Sequence, residues 1–423
     1  MATPLRNVVQ SWTTVPAPRF VGGNEVELLQ GGDALFPHMC RSIGQARTEV
    51  WLATYIFHDD PAATAVANAL KAAAARGVEV RVVVDGFGSI ATMAGVRAMF
   101  AGSGVQLEVF RPLDSWYSWL QPGQLRRLHQ KLCVCDGEVA YVGGINLIDD
   151  RHDMNHGWGD APRLDFAVAV RGPLAQSVHA TARAMWARAH LRRDWREEAR
   201  VVARSARPVQ QALNLLGQLR GGHKAVEEGP QLPIRAAFLV RDNLRQRRAI
   251  ERSYVEAIRG ARQRVDIAVP YFYPGYGFRN ALLKAARRGV RVRLLLQGKV
   301  DYRFAALAAR VLYEEMRSTG IRIYEYTPAF LHAKVALVDD EWATVGSSNI
   351  DPLSLLLNLE ANVVVRDAGF AQALSERFEQ AFAVSTEVTA APVRAGLPGW
   401  IQRVLVAGAA NLYMRVAGIT RRY

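Results

Sequence analysis

Two stretches of this chain, 203 residues apart, carry the same ordered set of polar residues, and that duplication constrains the fold more than any local propensity. The first is LHQKLCVCD, with His129, Lys131 two residues on, and Asp136 five after the Lys. The second is LHAKVALVD, with His332, Lys334 and Asp339 at the same spacing. Each leads at the same distance into a small-residue turn ending in Asn: GGIN with Asn146 and GSSN with Asn349.

The repeat extends well beyond these residues. Val50-Trp51-Leu52-Ala53 runs to Phe57, and Val265-Asp266-Ile267-Ala268 runs to Phe272, an offset of 215. Two Ala-rich stretches follow, residues 67–86 and 280–298. Each reads as a helix, a Gly turn at Gly77 or Gly289, and a strand rich enough in Val and Leu to be covered on both faces. LDFAVAVRG (164–172) then matches LEANVVVRD (359–367), which pairs Asp165 with Glu360.

The pattern predicts an α/β chain of two similar β-α-β sandwich domains in a pseudo-twofold arrangement with the active site between them. We place the first domain at 22–190 after an N-terminal segment (1–21), and the second at 236–385. A charged connector (191–235) broken by Pro and Gly separates them, and a basic tail (386–423) closes the chain.

On a strand, residues i and i+2 share a face, so His129 points with Lys131 and His332 with Lys334. Two imidazoles, two ammonium groups and two amides are the parts needed to hold a phosphodiester and cleave it through a covalent histidine intermediate. They supply a nucleophile, a proton donor and positive groups for the non-bridging oxygens. Asp136 and Asp339 complete each catalytic motif, but they sit at odd offsets and should point inward to anchor it by hydrogen bonding. A neutral imidazole attacks through one nitrogen when an acceptor holds the proton on the other. Asp165 and Glu360 are carboxylates in otherwise apolar strands, where burial without a partner is costly. Each is therefore expected to orient one motif histidine; a salt bridge to Arg163 is the competing reading for Asp165.

With these residues assembled, the chain resembles the phospholipase D superfamily, whose signature is this duplicated pattern. GSSNIDPLSLLLNLEANVVV (346–365) resembles the bacterial cardiolipin synthases within it, the B type most closely. The resemblance implies a phosphatidyl-transferring enzyme with no cofactor and no metal, acting on phospholipids, phosphatidylglycerol first, at the cytoplasmic face of the membrane. It makes His129 the nucleophile and His332 the acid and then the base. Lys131, Lys334, Asn146 and Asn349 would grip the phosphate, with Ser347 adding a hydroxyl. A hydrolase or a phosphatidylserine synthase of the same superfamily is the alternative.

Charge and composition agree with a polyanionic or anionic-surface partner. The 423 residues carry 53 Lys+Arg against 39 Asp+Glu, a net charge of +14. Half are hydrophobic, enough for a sizeable core. Three cysteines (Cys40, Cys133, Cys135) argue against a disulfide framework and for a reducing setting. No stretch approaches the ~20 apolar residues of a spanning helix, and the opening residues lack an apolar signal core, so a soluble or peripheral protein is expected.

Two segments suit a lipid surface: the aromatic-basic FRPLDSWYSWLQPGQLRR (110–127), and residues 399–423, which on a helix form an apolar face with an Arg stripe. Packing between the halves and packing on the protein body are their respective alternatives. A metal site of His129 with Cys133 and Cys135 lacks a fourth ligand, and two small buried strand residues are the simpler reading. A nucleic-acid phosphodiesterase fits the charge, but no nucleic-acid-binding module is present, so no nucleic acid is expected.

Overall fold

The computed structural model describes residues 19–113, 126–204, 234–241, 246, 248–299, 313–351 and 358–389, without the side chains of 191–204. The described chain forms two compact units. One comprises Arg19–Gly159 with Phe166–Phe238; the other comprises Asp160–Asp165 with the chain from Leu239 on.

In the first unit the chain runs β1 (Val21–Gln30), α1 (Gly31–Gln45), β2 (Glu49–Thr54), α2 (Pro61–Ala75), β3 (Glu79–Asp85), α3 (Met93–Phe100) and β4 (Gln106–Phe110). It continues through β5 (Leu132–Cys135), β6 (Val139–Gly143), the short pair β7 (His152–Asp153) and β8 (Gly157–Trp158), β9 (Phe166–Arg171) and α4 (Pro173–Arg204). The first residues of β10 (Ile234–Arg241) pair with β1. The sheet order is β10-β1-β9-β6-β5-β2-β3-β4. Strands β2, β3 and β4 run parallel through helical crossovers, and the β2–β5, β5–β6, β6–β9 and β9–β1 pairs are antiparallel.

The second unit repeats this plan. It contains α5 (Ala249–Gly260), β11 (Arg264–Val269), α6 (Tyr276–Arg287), β12 (Arg291–Gln297), β13 (Arg322–Tyr326), β14 (Val335–Val338), β15 (Trp342–Gly346), β16 (Glu360–Arg366), α7 (Ala368–Ala383) and β17 (Ser385–Glu387). Its order, β17-β13-β12-β11-β14-β15-β16, again joins a parallel half (β11, β12, β13) to an antiparallel half (β14, β15, β16). The expected α/β class is what the structure has.

Burial explains why the strands read as unbroken apolar runs. Val50 and Leu52 of β2 face a core built from Leu35, Met39 and Ile43 of α1 and Val66, Ala67 and Leu70 of α2. Trp51, between them, faces the opposite side, where its ring meets Trp186 of α4 edge-on at 6.1 Å. With both faces covered, the run from Val50 to Ala53 is apolar and the polar residues Glu49 and Thr54 stand at its ends. Both expected Gly turns are present: Gly77 and Gly289 each have φ 88°, a conformation that costs a residue with a Cβ. Each lets the following Val amide bond back into its helix, Val78 to Ala73 and Val290 to Ala285, both at 3.2 Å.

Two boundaries differ from the simple division expected. Helix α4 runs on to Arg204, past the expected domain end at 190, and residues 160–165 group with the second unit although they precede β9. Most of the aromatic-basic segment, most of the connector and nearly all of the tail lie outside the described residues. No helix among the described residues is long and apolar enough to cross a membrane.

Candidate active site

Each motif histidine sits just before a buried interior strand, β5 or β14, that pairs antiparallel with both neighbours. The approach to each strand is held by an acceptor at the end of a parallel strand one place beyond its neighbour, β3 or β12. The Leu128 amide donates to Asp85 Oδ2 at 2.8 Å, and the Leu331 amide donates to Gln297 Oε1 at 2.8 Å. Asp85 and Gln297 close the matching sequences RVVVDG and RLLLQG. Sequence reasoning missed them, although a polar residue ending a buried strand was the available signal. Asp85 also accepts the Phe87 and Gly88 amides at 2.8 and 3.0 Å. Burial raises its carboxyl to about 6 against the pull of these amides and of Arg127.

At the far end of each β-strand the half-buried motif aspartate acts as a clamp. Asp136 and Asp339 both adopt positive φ, 54° and 51°, a region Asp enters more readily than most residues. Asp136 accepts the Arg47, Thr48 and Glu49 amides, each at 2.9 Å, and the Thr48 hydroxyl at 2.7 Å. Asp339 accepts the Arg262, Gln263 and Arg264 amides at 2.8–3.1 Å. Burial alone would raise the Asp136 carboxyl, but these donors outweigh it and bring it down to about 2. Both aspartates spend their oxygens on backbone, tying the hairpin to the start of the neighbouring strand.

Between these fixed points lie the reactive groups. In the first unit the Tyr55 ring stands 4.8 Å from the half-buried His129 ring and 5.3 Å from Lys131 Nζ. Lys131 is 6 % exposed, and its ammonium donates to the His129 carbonyl at 2.7 Å. Asn146 is buried, and its Oδ1 accepts the Ile56 amide at 3.3 Å.

In the second unit His332 Nδ1 lies 2.6 Å from Oδ2 of the fully buried Asp165. A parallel bridge between Leu164 and Leu331 brings them together, with the His332 amide bonding the Leu164 carbonyl at 2.9 Å. Lys334 donates to the His332 carbonyl and is 1 % exposed. Burial lowers its ammonium to about 8, with Asp165 first and Glu360 next among the charges that oppose the fall.

Glu360 opens β16 and is fully buried. Ser347 donates its hydroxyl to Glu360 at 2.5 Å and accepts the Ala361 amide at 3.0 Å. Ser347 thus ties the buried carboxylate to the backbone of β16. Asn349 is buried, with an Oδ1 that has no hydrogen-bond partner among the described residues. Cys133 and Cys135 face the α1–α2 core; their thiols are free, and the mutual hydrogen bond, then burial, raises that of Cys133.

The family model described as "Cardiolipin synthase, PLD-like domain" matches residues 39–158 and 254–382, one copy per half. The chain belongs to the cardiolipin synthase family of phospholipase D-like proteins. It is 35% identical to cardiolipin synthase B of Escherichia coli (strain K12) over 355 residues, 84% of this chain and 79% of that protein. Against cardiolipin synthase B of Salmonella typhimurium (strain LT2) it is 36% identical over 358 residues, 84% and 80%. Among solved structures, phosphatidylserine synthase of Haemophilus influenzae Rd KW20 superposes with TM-score 0.67 over 99% of this chain and 100% of that one. At 14% identity it shares the fold alone.

Proposed function

We propose that this member of the cardiolipin synthase family joins two phospholipids by phosphatidyl transfer through a phosphohistidine, with phosphatidylglycerol as donor and acceptor. The observation that carries the reading is the His332–Asp165 pair beside Lys334: an oriented imidazole next to a buried ammonium. In this reading His129 attacks the phosphorus and His332, its proton placed by Asp165, protonates the departing glycerol oxygen. His332 then takes the proton of the incoming lipid hydroxyl, and the phosphate passes to that oxygen. Lys131, Lys334, Asn146 and Asn349 neutralise and orient the non-bridging oxygens. Glu360 is assigned to His129 on the strength of the repeat alone.

The enzyme class follows from family membership; phosphatidylglycerol as the lipid is part of the proposal. Association with the cytoplasmic face of a membrane is part of the same proposal, supported by the net charge of +14. Purified protein incubated with vesicles of labelled phosphatidylglycerol should yield cardiolipin and glycerol. Phosphatidic acid as the only product would make it a hydrolase; no turnover of any phospholipid would sink the assignment.

A further inference from the structure

Apart from the two motifs, a second cluster of reactive side chains stands in the first unit. His58 follows β2, Asp60 is the N-cap of α2, and His152 lies on β7. One ligand atom from each lies within 4.8 Å of the others. His58 Nδ1 is 3.6 Å and His152 Nδ1 3.9 Å from Asp60 Oδ2. We propose that His58, Asp60 and His152 form a binding site for one divalent transition-metal ion of the Zn²⁺ type, structural in role and separate from the His-Lys motifs.

Ligand chemistry and spacing both fit. Two imidazoles and a carboxylate suit Zn²⁺, with water or the neighbouring Asp59 as fourth ligand. Ligand atoms about 2.0–2.1 Å from a tetrahedral ion lie about 3.4 Å apart, so the two His–Asp60 separations need contract by only a few tenths of an ångström.

The ligands are also held in place from outside. Asp60 Oδ1 accepts the Ala63 amide at 2.9 Å and Oδ2 the Asp149 amide at 2.7 Å. The His152 ring is stacked on Trp158, 4.9 Å apart and 4° from parallel. Such outer contacts are what orient metal ligands.

His58 supplies the second line of argument. Its Nδ1 is enclosed, 3.2 Å from Asp59 Oδ1 and near Asp60, yet makes a properly formed hydrogen bond with no described residue. The fold does not require these donors. The second half uses the same backbone bond, His58 amide to Leu147 carbonyl in one and Tyr273 amide to Ile350 carbonyl in the other. There, at an offset of 215, Tyr273 and Gly275 replace His58 and Asp60, and Gly275 caps α6 without a side chain. An ion would tie the β2–α2 loop to the loop after Asn146, the two segments already joined by the Asn146–Ile56 bond.

The test uses the full-length protein, freed of metal by chelator and dialysis. Zn²⁺ titrated by calorimetry should bind one per chain and raise the melting temperature, and His58→Ala/His152→Ala should weaken this binding by roughly tenfold or more. Co²⁺ should give d–d absorption without sulfur charge transfer, which separates this site from the cysteines and decides the matter if the double variant does not fold. Zn²⁺ affinity equal in wild type and double variant, a thiolate-type Co²⁺ spectrum, or no binding at all would overturn the proposal.

Discussion

Replacing Asp165 by Asn keeps the shape at His332 and removes the charge that faces its Nδ1 at 2.6 Å. Two consequences follow. Nδ1–H loses a hydrogen bond to a buried anion, worth about 1.5–3 kcal/mol. If that bond matters most when His332 carries its second proton, kcat falls roughly 10- to 150-fold while KM holds, because Asp165 touches no substrate in this account. Lys334 also loses the first of the charges that hold its ammonium up against burial, so it drops below its present value of about 8. A kcat–pH series on vesicles reads both effects: the plateau falls, and the alkaline limb moves to lower pH. Melting temperatures alongside exclude unfolding. A variant within twofold of wild type, with an unmoved alkaline limb, would refute the reasoning.

Wild-type activity should decline as pH rises through about 8, because the ammonium of Lys334 is the form that binds phosphate; a rate flat to pH 10 on intact vesicles contradicts that role. Asp136→Ala leaves three strand-entry amides without their acceptor and should cost about 2–4 kcal/mol in a denaturant titration. Because the folded Asp136 carboxyl lies below its usual range, its stabilisation is present above about pH 4 and fades as pH falls toward 2. The Asp136→Asn protein should therefore lose less stability over that interval than wild type, as acid melts can show. Asp85→Asn should be mild, since Gln297 performs the equivalent bond with a neutral amide, whereas Asp85→Ala should destabilise by about 2–4 kcal/mol.

Most of the scaffold was legible because it occurs twice. Repetition marked Gly77 with Gly289 and Asp165 with Glu360, and it separated motif residues from chance surface histidines. Strand parity pointed Asp136 and Asp339 away from the histidines, but both sit in positive-φ turns just past their strands, where alternation no longer applies. Other contacts depend on chain crossings that no local pattern encodes. That Asp165 meets His332, 167 residues away, requires the Leu164–Leu331 bridge. Ser347 was singled out through the family resemblance; its hydrogen bond to Glu360 was not legible, because the two meet only where β15 and β16 pair. Tyr55 escaped notice because its counterpart at an offset of 215 is Pro270, so the repeat gave no signal there.

The central claim, a covalent phosphohistidine on a named residue, is tested most directly by alkaline quench of the enzyme during turnover of labelled phosphatidylglycerol, followed by peptide mapping. Label on the peptide containing His129 in the wild-type protein, absent from His129→Ala, is the result expected. Label that stays with His332 in the His129→Ala protein, or steady turnover by that variant, would contradict the account.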